Sequence, residues 1–183
     1  MTELNPTTLR RELLLQSAIE QRLDTLVGLA TAAVLKLAPN TQMEESQLRN
    51  LLNASLESKS IEVTTNFIRY QIARKERDWG TSPNAFGHTV IDHIVKDIKP
   101  LAENVIHSII LDKTEEDDRA WFRSRYARVY IRLMQLYLGY INRVFYFYKK
   151  SIDRERHEPN AVKDAIASLN LVAIPHAEVR NNG

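Results

Sequence analysis

Residues 119–150 constrain this chain more than any other stretch. They read as one long helix, with no proline and a single interior glycine, Gly139. They hold eight Lys/Arg, no Asp or Glu, and ten of the chain's fourteen aromatics. Stepped at about 100° per residue, Arg125, Arg128, Arg132, Gln135, Gly139, Asn142, Arg143, Tyr146 and Lys150 share about a third of the circumference. Apolar and aromatic residues, from Tyr126 and Val129 through Leu133, Tyr137, Ile141 and Phe145 to Phe147 and Tyr148, fill the rest. A helix apolar over most of its girth has to be surrounded by other helices. What it leaves exposed is a basic stripe with a glycine in the middle, where a partner's backbone can come close.

The expected fold is therefore all-α: a single domain over 1–183, with about five to six helices around a central helix at about 115–155. The length is enough to bury a sizeable core. Five Gly and six Pro, mostly between periodic runs, argue against a turn-rich β fold. Net charge is only +2, so a basic surface has to come from segregation of charge. Zero cysteines exclude disulfides, thiol catalysis and thiolate zinc sites. The first residues, MTELNPTTLRRELLLQ, lack the basic-then-apolar order of a signal peptide. Arginines at 128, 132 and 143 interrupt the apolar run 126–148, and mid-bilayer arginines cost several kcal/mol. The reading is a cytoplasmic protein with no membrane association.

Along the chain, residues 7–38 predict one N-terminal helix capped by Thr7 or Thr8, with Gly28 as a bend and small residues (Gly28, Ala30, Ala32, Ala33) for close packing. Thr41 and Glu44 have capping-box spacing and open a helix over 42–57 with Leu48, Leu51, Leu52 and Leu56 on one face. A third helix at 62–79 carries two apolar seams, Ile61/Ile68/Ile72/Trp79 and Val63/Phe67/Tyr70, and reads as sandwiched. Arg74 falls on the second seam, either as a salt-bridged or snorkelling side chain or as a contact to phosphate or base. Ser82-Pro83 restarts the helix, which keeps its phase across Pro100 as a kinked or coaxial pair. Thr114 caps the long basic helix, whose first turn holds Glu115, Glu116, Asp117 and Asp118. A short helix at 159–170 and a loose tail end the sequence.

Catalytic patterns are poor. His88, Asp92 and His93 lie within two turns but lack a third and fourth metal ligand, and His107 is far along its helix. No Gly-rich nucleotide loop occurs, no serine sits in a glycine-flanked nucleophile turn, and no Arg precedes a His by four to six residues. No long apolar helix offers an axial histidine for haem. A non-enzyme with no cofactor and no metal is expected. Cations without neighbouring acids instead neutralise phosphates, giving affinity without sequence choice, and interleaved aromatics can stack unpaired bases. The competing reading is that the tyrosines are core and the arginines pair with acids of other helices.

Three segments carry a family resemblance: Ser46-Gln47-Leu48-Arg49-Asn50-Leu51-Leu52, then Phe67-Ile68-Arg69-Tyr70-Gln71-Ile72-Ala73-Arg74-Lys75-Glu76, then Phe145-Tyr146-Phe147-Tyr148-Lys149. In order and rough spacing, over 42–150, they resemble the small helical subunit of type III (Csm-type) CRISPR effector complexes. Ala73 stands where that family often has Gly, and the 111–125 insertion, the N-terminal helix and the extension after Lys150 depart from it. The resemblance implies a non-catalytic antiviral-defence subunit in a ribonucleoprotein complex. Such a subunit contacts RNA, as the guide/target duplex or as a single strand, beside other subunits and self-associates in tandem copies. Arg49, Arg69, Arg74, Lys75 and Lys149 carry over as RNA-contact candidates; Arg125, Arg128, Arg132 and Arg143 come from the basic stripe. The alternative function is a helical protein–protein adaptor or sensor.

Overall fold

A computed structural model describes residues 5–38, 40–155 and 167–168; the expected 159–170 helix and tail lie otherwise outside the described residues. Every regular element among the described residues is helical. They are α1 (Pro6–Glu20), α2 (Leu23–Val34), α3 (Glu45–Ser58), α4 (Ile61–Arg74), α5 (Glu76–Trp79), α6 (Phe86–Asp92), a π-helical stretch (His93–Ile98), α7 (Lys99–Ile110), α8 (Glu116–Arg123) and α9 (Tyr126–Glu155). The all-α bundle around a long helix is as expected, but there are more segments than five to six.

The extra segments come from breaks that leave the apolar phase nearly intact. The N-terminal run divides at Gln21 and Arg22 rather than bending at Gly28, which is buried inside α2. Its start is capped by Asn5, whose side chain accepts from the Thr7 N–H, with Pro6 in the first turn. The 62–79 helix divides at Lys75 (φ −131°, ψ 53°), and the short α5 that follows carries Trp79 into the core. The long basic helix divides at Ser124 and Arg125, where the Arg125 N–H reaches back only to Phe122 O at 2.9 Å. That tighter turn lets α8 bury Phe122. Three start signals also move. The chain enters α8 at Glu115 rather than Thr114 and α6 at Ala85 rather than Ser82. It enters α3 at Glu44, whose N–H donates to Gln47 Oε1 at 3.1 Å, while Thr41 Oγ1 accepts from Met43 N.

Pro100 explains the π-helical stretch before it. It has no N–H for the Lys96 carbonyl and its ring crowds that carbonyl, so a widened turn absorbs the misfit while Ile94, Ile98, Leu101 and Val105 stay buried.

Helix α9 is about 45 Å long at 1.5 Å per residue. It packs against α2, α3, α7 and the π-helical stretch. Val129, Leu133, Met134, Tyr137, Leu138, Ile141, Phe145 and Tyr148 are its buried face. Of the small residues expected to allow close packing, Gly28, Ala30 and Ala33 of α2 are buried, while Ala32 is only partly covered. Helix α3 runs antiparallel to α9, and three α9 side chains fix the register. Gln135 Nε2 donates to Ser55 O (3.0 Å), Asn142 Nδ2 to Leu48 O (3.3 Å), and Lys149 Nζ to Met43 O (3.0 Å). Gln135 and Asn142, placed on the exposed stripe by phase alone, instead bind α3.

The expected sandwiching of α4 does not occur. Ile68 and Ile72 are buried, but Val63 and Tyr70 are about half exposed and Phe67 is only partly covered. The second seam faces outward because α4 packs mainly on α3, α5 and α6, and no helix among the described residues covers that side.

A candidate nucleic-acid interface on helix α9

The basic residues of α8 and α9 have two different environments. At the N-terminal end, α1 supplies a carboxylate. Arg128 Nη1 meets Glu12 Oε1 at 2.8 Å, and Arg125 Nε lies 3.9 Å from the same oxygen with its guanidinium 4.5 Å above the Trp121 ring. Arg123 pairs with Glu116 at 2.7 Å, and Arg11 of α1 donates to Asp118 at 2.7 Å. The acidic first turn of α8 thus answers cations as well as its own helix dipole. Further along, α9 has no carboxylate between Tyr126 and Ile152. Arg132, Arg143 and Lys150 are exposed there, with no ion pair among the described residues.

The facing stretch of α3 matches. Between Ser46 and Leu56 it carries Arg49 and no acid. Arg49 follows Leu48, whose carbonyl receives Asn142, and Arg143 follows Asn142, so the two arginines stand at one level of the α3–α9 seam. Both are exposed. At Gly139, between Arg132 and Arg143, an added Cβ would meet nothing within 4 Å, so the surface there is open.

The remaining candidates fall elsewhere. Lys149 is half-buried, holding Met43 O with its ammonium 5.9 Å from the Phe145 ring centre; it ties the α2–α3 connection to α9. Arg69, Arg74 and Lys75 are exposed on or just after α4, apart from the α9 stripe. Arg74 is exposed and makes no salt bridge among the described residues. Its Nη1 donates to Tyr70 Oη at 3.0 Å and its guanidinium lies 5.8 Å from that ring centre.

Lys59 was missed in the sequence. It stands in the left-handed region (φ 48°) at the α3–α4 corner and lines a groove with Arg128 and Arg132. Only the Ser58-Lys59-Ser60 interruption marked it. That groove, about 850 Å³, lies between α1 and α9; Leu15, Ile19, Leu23 and Leu136 are among its apolar lining, and Glu12 and Glu20 stand on its α1 side.

The histidine-containing cluster resolves into separate contacts. His93 is buried with Nδ1 2.8 Å from Tyr137 Oη, and Asp92 accepts from Lys96 at 2.8 Å. Among the described residues no three His, Asp or Glu side chains gather as a metal site, and no helix is long and apolar enough to cross a membrane. Burial is the main cause raising the tyrosine pKa values. Tyr130 is pushed up to about 12, with Tyr126, Glu62 and Glu103 adding to it, and Tyr137 well above its usual range, with Asp97 adding.

In comparisons with known proteins, no family model, curated protein or solved structure matches this chain.

Proposed function

We propose that this chain is a non-catalytic RNA-binding subunit of a type III CRISPR interference complex. In this reading it works in the cytoplasm beside other subunits and further copies of itself, and touches guide or target RNA without choosing sequence. The complex-level part rests on the motif resemblance over 42–150. The RNA-binding part rests on one observation: Arg49 of α3 and Arg132, Arg143 and Lys150 of α9 are exposed and free of ion pairs among the described residues. Cations already neutralised by carboxylates gain little from a phosphate, whereas unpaired ones release counterions on binding. Arg69, Arg74 and Lys75 supply a second basic surface on the α4 side.

The test is fluorescence anisotropy with single-stranded RNAs of unrelated sequence at several salt concentrations. Affinity should fall steeply with salt and vary little with sequence, and an Arg49→Ala/Arg132→Ala/Arg143→Ala variant should flatten the slope by about two units, at roughly 0.7 per contact. Unchanged affinity and slope in that variant would remove the reading.

The α1–α9 groove favours a second reading, a helical adaptor. Its apolar floor and opposed walls, Glu12 and Glu20 against Lys59, Arg128 and Arg132, have the form of a helix-binding groove. Under that reading the RNA experiment gives no binding at moderate salt.

A further inference from the structure

The six tyrosines of α9 separate by what their hydroxyls do. Tyr126 faces Glu103 at 3.5 Å, Tyr130 donates to Ile94 O and Tyr148 to Leu37 O, both at 2.9 Å, and Tyr137 meets His93. These four are tied into the bundle. Tyr140 and Tyr146 have no hydrogen-bond partner among the described residues. Each instead has a cation over its ring: Arg143 Cζ lies 5.4 Å from the Tyr140 centre and Lys150 Nζ 5.7 Å from that of Tyr146. Tyr146 is 51% exposed and its neighbour Phe147 47%, on a helix whose other large aromatics are mostly covered.

Exposed rings are ordinary one at a time. Here an exposed tyrosine and an exposed phenylalanine are adjacent, beside Arg143 and Lys150 and with no carboxylate between Tyr126 and Ile152, whereas Tyr140 is partly buried against the core. A phosphate needs the cations; only a flat apolar partner needs the rings. We infer that Tyr146 and Phe147 form a stacking platform for unpaired nucleobases, with Arg143 and Lys150 on the flanking phosphates. This rests on the RNA reading above and deepens it: the preferred ligand is a single strand with accessible bases. Stacking is sequence-tolerant because every base has a π face.

The test compares three labelled probes on the full chain by fluorescence anisotropy: a short oligouridine, an abasic oligomer of equal length, and an RNA duplex. Oligouridine should bind more tightly than the abasic strand. Tyr146→Leu should weaken oligouridine binding by about five- to a hundred-fold and leave the abasic strand unaffected, while Tyr146→Trp should retain the wild-type preference. Because Tyr146 is half exposed, the melting temperature of Tyr146→Leu should match wild type, separating lost stacking from lost fold. Equal affinity for oligouridine and the abasic strand, a duplex bound as tightly as oligouridine, or oligouridine binding unmoved by Tyr146→Leu, would overturn the platform while leaving phosphate binding intact. No binding of any probe would overturn both.

Discussion

The two ends of α9 begin with similar residues and use them differently. Arg125 and Arg128 face Glu12 of α1, from a part of the chain more than a hundred residues away. Among the described residues Arg143 and Lys150 make no ion pair, and they lie over tyrosine rings. One end joins α9 to the N-terminal helix; at the other, among the described residues, the cations lie over rings instead. A cation's role depends on whether the fold delivers an acid to it, and the sequence of the helix itself does not say.

The largest effect expected in this comparison is on the face both ends share. Leu133 is fully buried in the middle of α9. Leu133→Asp should abolish the cooperative thermal transition followed by circular dichroism, since an unpaired buried charge costs several kcal/mol. A normally melting Leu133→Asp protein would mean that the buried face is wrongly assigned.

Next in size is the hydrogen bond in the core. Tyr137→Phe leaves a buried His93 nitrogen without its tyrosine partner and should cost about 1–3 kcal/mol in urea unfolding. The tyrosines also give the fold an alkaline limit. The folded state favours neutral Tyr130 and Tyr137, whose pKa values are raised above 10. Their contribution is complete below pH 10 and is lost as pH rises from 10 towards about 12 for Tyr130. Stability should therefore decline above pH 10, and less steeply in Tyr130→Phe than in wild type. Equal declines would show that Tyr130 titrates alike in both states.

A smaller effect sharpens the contrast between the ends. Glu12→Gln removes the carboxylate shared by Arg125 and Arg128. Such partly exposed pairs stabilise by at most about 1 kcal/mol, so the melting temperature should drop slightly. Freed arginines should bind RNA phosphates, tightening binding at low salt and steepening the salt slope by roughly 0.7 per new contact. A lower melting temperature with no change in RNA binding would confine these arginines to structure.

Much of this was legible in the sequence, and the losses have physical causes. The buried face of α9 follows from periodicity, because burying Leu133, Tyr137, Ile141 and Phe145 together requires them to share one side. Breaks at Gln21–Arg22, Lys75 and Ser124–Arg125 were not legible: each fits within a turn, without a Gly or Pro, and hardly shifts the apolar phase. Nor were the partners of Arg128 and Lys149, since Glu12 and the Met43 carbonyl reach them only through tertiary packing. For Val63 and Tyr70, periodicity gave a seam and could not say whether a helix would cover it.

The central claim is that the C-terminal cations of α9 bind RNA while the N-terminal ones hold the bundle. Its most direct test is the dependence of single-stranded RNA affinity on salt in two double variants, measured alongside their melting temperatures. Arg143→Ala/Lys150→Ala should flatten the slope of log K against log salt by about 1.4, from two contacts of roughly 0.7 each, with melting unchanged. Arg125→Ala/Arg128→Ala should lower the melting temperature and leave the slope nearly as in wild type. The reverse pattern, or equal slopes in both variants and wild type, would contradict the division of labour along α9.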